Sequence, residues 1–224
     1  MFYKIALDGP SGAGKSTLAK SIAKELGILY VDTGAMYRAI GLYVRDHGFA
    51  ADDEANVIAC LEKIEVALAF RDGTQHVLLC GEDVGDRIRT PEISMYASRV
   101  SAIPEVRAFL LDTQRGLAKS SSLIMDGRDI GTVIFPDAEV KIFLVASIEA
   151  RAKRRTGELL AKGMKVTYEE VLRDMQTRDK NDRERTVAPA VAAPDAILLD
   201  NSDMAPHETL NAALGIIREK LGSI

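Results

Sequence analysis

The chain has 224 residues, which suits one large domain or a core that carries an insertion, and its 47% hydrophobic residues supply a sizeable core. The net charge of −4 excludes a global attraction to nucleic acid or to an acidic membrane, so any anion site must be local. Cys60 and Cys80 lack metal-ligand spacing, and no segment resembles a signal peptide or an apolar membrane span. We expect a cytoplasmic monomer without nucleic-acid or membrane partners.

The first predicted elements are a short buried strand at 3–8 and a helix in which Leu18, Ile22 and Leu26 recur at helical spacing. The residues between them fit the G-x-x-x-x-G-K-[ST] phosphate-binding pattern, in which glycines let backbone N–H groups converge on phosphate oxygens. Lys15 would reach the β- and γ-phosphates, and Ser16 would offer its hydroxyl to Mg²⁺. The predicted ATP-binding loop consists of Gly9, Pro10, Ser11, Gly12, Ala13, Gly14, Lys15, Ser16 and Thr17.

The remaining pattern predicts an α/β protein. Apolar runs indicate further strands at 28–31, 122–126, 140–145 and 196–200, with helical stretches between most of them. The fold class is therefore a mostly parallel five-stranded sheet flanked by helices. A helix is expected at 35–47, and alternation over 64–84 predicts an antiparallel hairpin in an insertion. A helical stretch at 93–111, divided by Pro104, leads back to the core.

Asp126 ends one of the predicted strands, beside the phosphate loop. The carboxyl edge of a parallel sheet is where Mg²⁺ needs an oxygen ligand, held directly or through water. The alternative is an ordinary turn-forming aspartate before Gly127.

Two basic clusters follow, at 151–155 and 178–185. For Arg151 and Lys153 we predict a solvated helix face. In the second cluster, spacing places Arg178, Asp182 and Arg185 near one face of a helix, at i, i+4 and i+7. Guanidinium groups suit bidentate phosphate binding, and an in-line phosphoryl transfer needs several cations around the moving group. The second cluster is therefore a candidate catalytic feature.

Four segments together, 9–17, 32–38, 126–133 and 178–189, resemble the bacterial cytidylate kinases, a family of P-loop nucleoside monophosphate kinases. The resemblance spans nearly the whole chain and includes the hairpin insertion. It implies transfer of the γ-phosphoryl group of ATP·Mg²⁺ to CMP or dCMP, giving CDP or dCDP and ADP in pyrimidine metabolism. It further implies one kinase domain over 1–224. The expected parts are a core (1–35, 106–150 and 166–224), an acceptor-binding insertion (about 36–105) and a lid (about 151–165).

The same resemblance implies roles for individual residues. The acceptor phosphate would be held by Arg38 and Arg128, with Thr33 nearby. The cytosine edge would be recognised by Ser98, Arg107 and Asp129. The ribose would be contacted by Arg178 and Asp182. Arg185 would lie on the transferring phosphoryl group, and Arg155 in the lid would bind ATP. The expected catalytic residues are Lys15, Arg128, Arg178 and Arg185, and the expected Mg²⁺ ligands are Ser16 and Asp126.

Three alternatives remain open. Another small-acceptor kinase, of the uridylate, guanylate or shikimate type, would share the phosphate loop and differ in the acceptor pocket. A nucleotide-dependent switch would require a guanine-recognition segment Asn-Lys-x-Asp after a late strand, where this chain has Leu199-Asp200-Asn201-Ser202. The third alternative concerns Asp129, which would form a salt bridge with its neighbour Arg128 instead of recognising the base.

Overall fold

The computed structural model describes residues 2–71 and 73–222. In chain order its helices and strands are β1 (Lys4–Asp8), α1 (Lys15–Leu26), β2 (Leu29–Asp32), α2 (Thr33–Asp46), α3 (Glu54–Leu61), β3 (Val66–Arg71), β4 (Thr74–Leu79), β5 (Glu82–Asp83), α4 (Pro91–Val100), α5 (Pro104–Gly116), β6 (Leu123–Asp126), β7 (Val140–Val145), α6 (Ile148–Ala161), α7 (Tyr168–Glu184), β8 (Ile197–Asp200) and α8 (Pro206–Leu221).

The central sheet has five strands in the order β2-β6-β1-β7-β8, and all four pairings are parallel. Helices α1 and α8 cover one face, while α5 and the turn over 130–134 pack against the other. Strands covered on both sides need continuous apolar sequence, and Ile5, Ala6 and Leu7 of β1 are fully buried. The predicted fold class is confirmed.

A second sheet, β3-β4-β5, is antiparallel and packs with α2, α3, α4 and α5 around a separate hydrophobic cluster. The predicted hairpin over 64–84 is confirmed, and β5 adds a third strand too short to show alternation. Pro104 separates α4 from α5 as expected, because its ring fits the first turn of a helix and not the interior.

The side chain of Gln75 on β4 joins the small sheet to the central sheet through two hydrogen bonds. Its carbonyl oxygen accepts from the backbone N–H of Asp32 at 2.8 Å, and its amide group donates to the Asp32 carbonyl at 3.1 Å. Asp32 ends β2, the outermost strand on that side of the sheet. The side-chain amide therefore makes both hydrogen bonds that a neighbouring strand would make there.

Helices α6 and α7 form an antiparallel pair with its own small apolar cluster. A capping box between Thr167 and Glu170 begins α7. The helix ends at Glu184, so the predicted placement of Arg185 on the same helical face is wrong. The backbone of Arg185 is extended, and the chain turns back at Ala188 (φ 50°) before Pro189, which cannot continue a helix.

The prediction of a solvated position is also wrong for Arg151, whose side chain is buried among backbone carbonyls and an acidic side chain, as described below. Lys153, on the other side of α6, is exposed as expected. Within the described part of the chain, no helix combines the length and apolar character needed to cross a membrane.

Candidate active site

One cleft of about 320 Å³ opens at the carboxyl ends of β1, β2 and β6, where ligands bind in open parallel sheets. Side chains from α2, α4, α5, α6 and α7 complete its walls. The lining includes Ser11, Gly12, Lys15, Ser16, Thr33, Arg38, Ser98, Arg107, Asp126, Arg128, Asp129, Arg155, Arg178, Asp182 and Arg185. These fifteen are residues predicted from the sequence, so residues far apart in the chain do share one site.

The phosphate loop connects β1 to α1 and depends on its glycines. A Cβ atom at Gly9 would collide with the carbonyl oxygen of Leu144, and one at Gly12 would lie 2.6 Å from the Met175 methyl group. Gly14 has a left-handed backbone and immediately precedes α1. The loop residues Ser11 and Gly12 and the first residues of α1, Lys15 and Ser16, thus line the cleft, and a helix N-terminus preceded by a glycine loop is the arrangement that binds phosphate.

Lys15 is buried, and its Nζ donates to the Pro10 carbonyl at 2.8 Å. Burial, and then the nearby positive charge of Arg128, lower the pKa of Lys15 to about 7. A buried ammonium group with so few partners is ready to bind an anion, and the cleft beside it is open.

Three oxygen-bearing side chains meet beside the loop. Ser16 Oγ donates to Asp126 Oδ2 at 2.9 Å, and the Tyr30 hydroxyl donates to Asp126 Oδ1 at 3.0 Å. Burial, followed by the charge of Asp32, raises the pKa of Asp126 to about 6. A hydroxyl beside a desolvated carboxylate is a hard-oxygen donor set that fits Mg²⁺. No cluster of three or more His, Cys, Asp or Glu ligands occurs among residues 2–71 and 73–222.

Arginines surround the space in front of the loop. The pKa of Arg178 is lowered to about 10, first by burial and then by Arg128, with smaller effects of Arg38 and Arg155, against the opposing charge of Asp182. In the structure as described, Nε of both Arg38 and Arg178 is buried without a hydrogen-bond partner. Buried donors that lack acceptors are costly, and an anion with several oxygens would satisfy them.

The carboxylate of Asp32 holds two arginines of the cleft in place. Its carboxylate accepts from Arg38 at 2.8 Å and from Arg89 at 3.2 Å, and it also caps α2 through the Ala35 N–H. Burial opposes ionisation, but these two guanidinium groups hold the pKa of Asp32 below its usual value. Thr33, next in sequence, donates its hydroxyl to the Asp126 carbonyl at 2.8 Å and ties α2 to β6.

The opposite end of the cleft contains a buried ion pair between Arg107 on α5 and Asp129. Arg107 also donates to the Ser101 carbonyl at 3.2 Å and lies over the Tyr37 ring, 5.5 Å from its centroid. Arg185 reaches the other carboxylate oxygen of Asp129 at 3.4 Å. Asp129 is therefore paired with two distant guanidinium groups and not with its neighbour Arg128.

Asp182 lies between the two ends of the cleft. It accepts from Arg128 Nε at 2.9 Å and from Ser98 Oγ at 3.1 Å. Burial would raise the pKa of Asp182, but Arg128, Arg178 and Arg185 outweigh it and keep the pKa low. The carboxylate stays ionised and joins α7 to α4 and to the segment after β6.

Two of the predicted residues, Arg178 and Arg185, lie in different parts of the cleft. Arg185 faces Asp129, Arg107 and Ser101 at the far end, whereas Arg178 lies among the arginines in front of the phosphate loop. Arg155 does line the cleft and pairs with Glu158 at 3.0 Å. Gly9, Pro10, Ala13, Gly14 and Thr17 shape the loop without lining the cleft.

The structure also adds residues that the sequence did not indicate. Asp8 is buried and accepts from the N–H groups of Ile130 and Gly131, both at 2.8 Å, and burial raises its pKa to about 7. Asn201 donates to the Ala13 carbonyl at 3.0 Å and fixes the back of the phosphate loop. The position of Asp8 directly before the first loop glycine could have indicated its role from the sequence. Asn201 gave no such signal, because it follows the last strand and only the fold brings it near the phosphate loop.

A phosphate loop at the end of a central strand, a neighbouring carboxylate and a lining of arginines define the class as a P-loop phosphotransferase with room for a donor and an acceptor. The description "Cytidylate kinase" belongs to the family model that matches residues 5–219. The chain belongs to this cytidylate kinase family.

Curated relatives agree with this assignment. A protein named cytidylate kinase from Fervidobacterium nodosum is 50% identical over 98% of both chains, and one of the same name from Thermosipho melanesiensis is 49% identical over 97% of both. Among solved structures, an uncharacterised protein from Eubacterium ventriosum shares 15% identity and aligns with a TM-score of 0.53 over 98% of this chain and 99% of that one. The last similarity concerns the fold alone.

Proposed function

We propose that the protein transfers the γ-phosphoryl group of ATP to CMP or dCMP, with CDP or dCDP and ADP as products. The observation behind this proposal is that a phosphate loop and a buried Arg107–Asp129 pair lie at opposite ends of one cleft with a group of arginines between them. A donor triphosphate fits the first end and a pyrimidine base the second.

The donor phosphates bind to the loop N–H groups and to Lys15, and Arg155 approaches them from α6. Ser16 and Asp126 are the residues that would hold Mg²⁺, Asp126 either directly or through water. When bound, the ion neutralises charge on the donor phosphates and orients them. The approach of the phosphates raises the pKa of Lys15, which burial and Arg128 had lowered, so that Lys15 contributes a full positive charge.

The acceptor phosphate binds to Arg38 and Arg128 near Thr33, and Arg178 neutralises charge on the group in transit. An oxygen of the acceptor phosphate attacks the γ-phosphorus as the bond to the ADP oxygen breaks. The acceptor phosphate is already ionised at neutral pH, so no general base is required, and catalysis consists of positioning and charge neutralisation. We assign the contact with the transferring phosphoryl group to Arg178 and not to Arg185, because Arg178 lies beside the other phosphate-binding arginines.

The base lies against Arg107, Asp129 and Ser98. Cytosine offers an exocyclic amine donor and a ring-nitrogen acceptor, which match a carboxylate and a guanidinium group, whereas uracil presents the opposite pair. The sugar lies near Asp182, and Arg185, which also lines the cleft, pairs with Asp129.

We also propose that the chain is divided into a core (1–35, 106–150 and 166–224), an acceptor-binding insertion (about 36–105) and a lid (about 151–165). The proposed enzyme is a monomer that is soluble and cytoplasmic. The hydrogen bond from Ser98 on α4 to Asp182 on α7 joins the proposed insertion to the proposed core beside the acceptor site.

A coupled assay for ADP release with CMP, dCMP, UMP, AMP and GMP as acceptors tests the proposal. We expect CMP and dCMP to give the highest kcat/KM, with CDP or dCDP as the identified product. Release of inorganic phosphate without a phosphorylated acceptor, or equal kcat/KM for GMP and CMP, would contradict it.

A further inference from the structure

A closed set of contacts joins the phosphate loop to both α6 and α7 and consists of Ser11, which lines the cleft, and of Arg151 and Asp179, which lie behind it. The Ser11 N–H donates to Asp179 Oδ1 at 3.3 Å, and the Ser11 carbonyl accepts from Arg151 Nη1 at 2.8 Å. Arg151 and Asp179 complete the set with an ion pair of 2.6 Å between side chains only 6% and 11% exposed. Arg151 Nε also donates to the Ala146 carbonyl, just beyond β7, at 3.0 Å.

This ion pair costs desolvation energy, so its position calls for an explanation. Buried ion pairs are often no more stabilising than apolar substitutes of similar volume. Here both partners are directed at the backbone of one residue, Ser11, in the loop that we propose holds the donor phosphates.

Asp179 also connects this loop to the acceptor side of the cleft. It lies on α7 directly after Arg178 and three residues before Asp182, less than one turn of the same helix away. Asp182 in turn contacts Arg128 and, through Ser98, α4. A helix transmits displacement along its axis because its backbone hydrogen bonds keep it stiff, so Ser11 and Asp182 are mechanically connected.

We propose that Asp179 and Arg151 are positioning residues that couple donor and acceptor binding. The coupling rests on the proposed function. A donor nucleotide orders the phosphate loop, and Ser11 then holds Asp179 and the rest of α7 in a single position. The acceptor, whose sugar lies near Asp182 and whose phosphate binds Arg128, then no longer has to order these two side chains, so it binds more tightly than it does to the nucleotide-free protein.

The test is the ratio of CMP dissociation constants measured by calorimetry without and with saturating ADP·Mg²⁺. ADP suits this measurement because it fills the loop but lacks the transferring group, which would repel the CMP phosphate. We expect CMP to bind the wild-type protein at least about fivefold more tightly with ADP present. In Asp179→Asn this ratio should fall below about twofold, while CMP binding without ADP stays within about twofold of wild type.

Asp174→Asn is the matched control, because it removes the same charge from an exposed position on the same helix. Its ratio should equal that of wild type. Arg151→Lys is the second variant. It keeps the charge but loses the fork that reaches Ser11 and Asp179 together, so it should also lower the ratio. If thermal unfolding shows that Asp179→Asn is not folded, Arg151→Lys provides the test.

A wild-type ratio near one would overturn the proposal, as would an unchanged ratio in the variants. So would a loss of CMP affinity that is equal with and without ADP, since that indicates a purely structural role. Failure of the proposed function is distinct, because the wild-type protein would then neither bind nor phosphorylate CMP.

Discussion

Replacing Asp129 with asparagine tests the far end of the cleft most directly. The carboxylate is 6% exposed and balances two guanidinium groups, those of Arg107 and Arg185, whose side chains are 7% and 4% exposed. Asparagine has nearly the same shape and still accepts one hydrogen bond, but it carries no charge. The substitution therefore leaves two like charges facing each other in a site with little access to water.

The size of the effect follows from this burial. Removing one partner of a buried ion pair costs about 3–5 kcal/mol, because the remaining charge stays desolvated. For a domain of this length each kcal/mol lowers Tm by about 2–4 °C, so Asp129→Asn should melt about 6–20 °C below wild type. The CMP-over-UMP ratio of kcat/KM should narrow as well, because the negative charge that favours the cytosine amine is gone and the new amide group can also donate to the uracil carbonyl.

Thermal and urea unfolding measure the first effect, and the acceptor assay below the new Tm measures the second. Asp137→Asn is the control: it breaks an ion pair with Lys4 at 2.8 Å, but Asp137 is 74% exposed, so the cost should stay below about 1 kcal/mol. Adding Arg107→Met to Asp129→Asn should recover part of the lost stability, because one uncompensated charge disappears. If Asp129→Asn is no more destabilising than Asp137→Asn, the buried charge cluster does not exist in solution. If the CMP-over-UMP ratio is unchanged, base recognition lies elsewhere.

Three further predictions concern the phosphate end. Lys15→Met should lower kcat by at least about a thousandfold with little change in Tm, because a charge aimed at the transferring group is lost, and near-normal turnover in a folded variant would exclude this role. The pKa of Lys15 should be near 7 in the free protein and higher with ADP·Mg²⁺ bound. Above pH 7 the binding of the donor therefore takes up a proton, and the affinity for the donor falls as the pH rises above 7. The ¹³Cε chemical shift of Lys15, assigned with Lys15→Met, reports both values, and a midpoint near 10.5 in the free protein would contradict the burial argument. Arg178→Ala should mainly lower kcat and Arg185→Ala should mainly raise KM for CMP, and steady-state kinetics with the reverse pattern would restore the assignment of Arg185 to the phosphoryl group.

The sequence was sufficient for the elements whose signal is local. Strand β7 has the predicted bounds, and Pro104 separates two helices because its ring excludes it from a helix interior. The phosphate loop is equally local, since glycines, lysine and serine at fixed spacing need only a strand before them and a helix after them.

The pairing of charges was not predictable in the same way. Asp129 is adjacent to Arg128 in sequence, yet it pairs with Arg107, 22 positions before it, while Arg128 pairs with Asp182, 54 positions after it. Arg151 has the sequence environment of a solvated helix and is buried because the phosphate loop and α7 lie against it. Helical spacing also placed Arg185 with Arg178, since nothing in the periodicity indicates that the helix ends at Glu184. Such contacts depend on which elements become neighbours, and that is a property of the whole fold.

The amide pair between Gln75 and Asp32 has a consequence beyond holding two sheets together. An outermost strand presents unpaired N–H and C=O groups, which can template pairing with a strand of another molecule. At the end of β2 the Gln75 side chain occupies both groups of Asp32, so a foreign strand cannot extend the ladder there without first displacing β4. The same glutamine therefore closes this end of the sheet edge to pairing with a strand of another molecule.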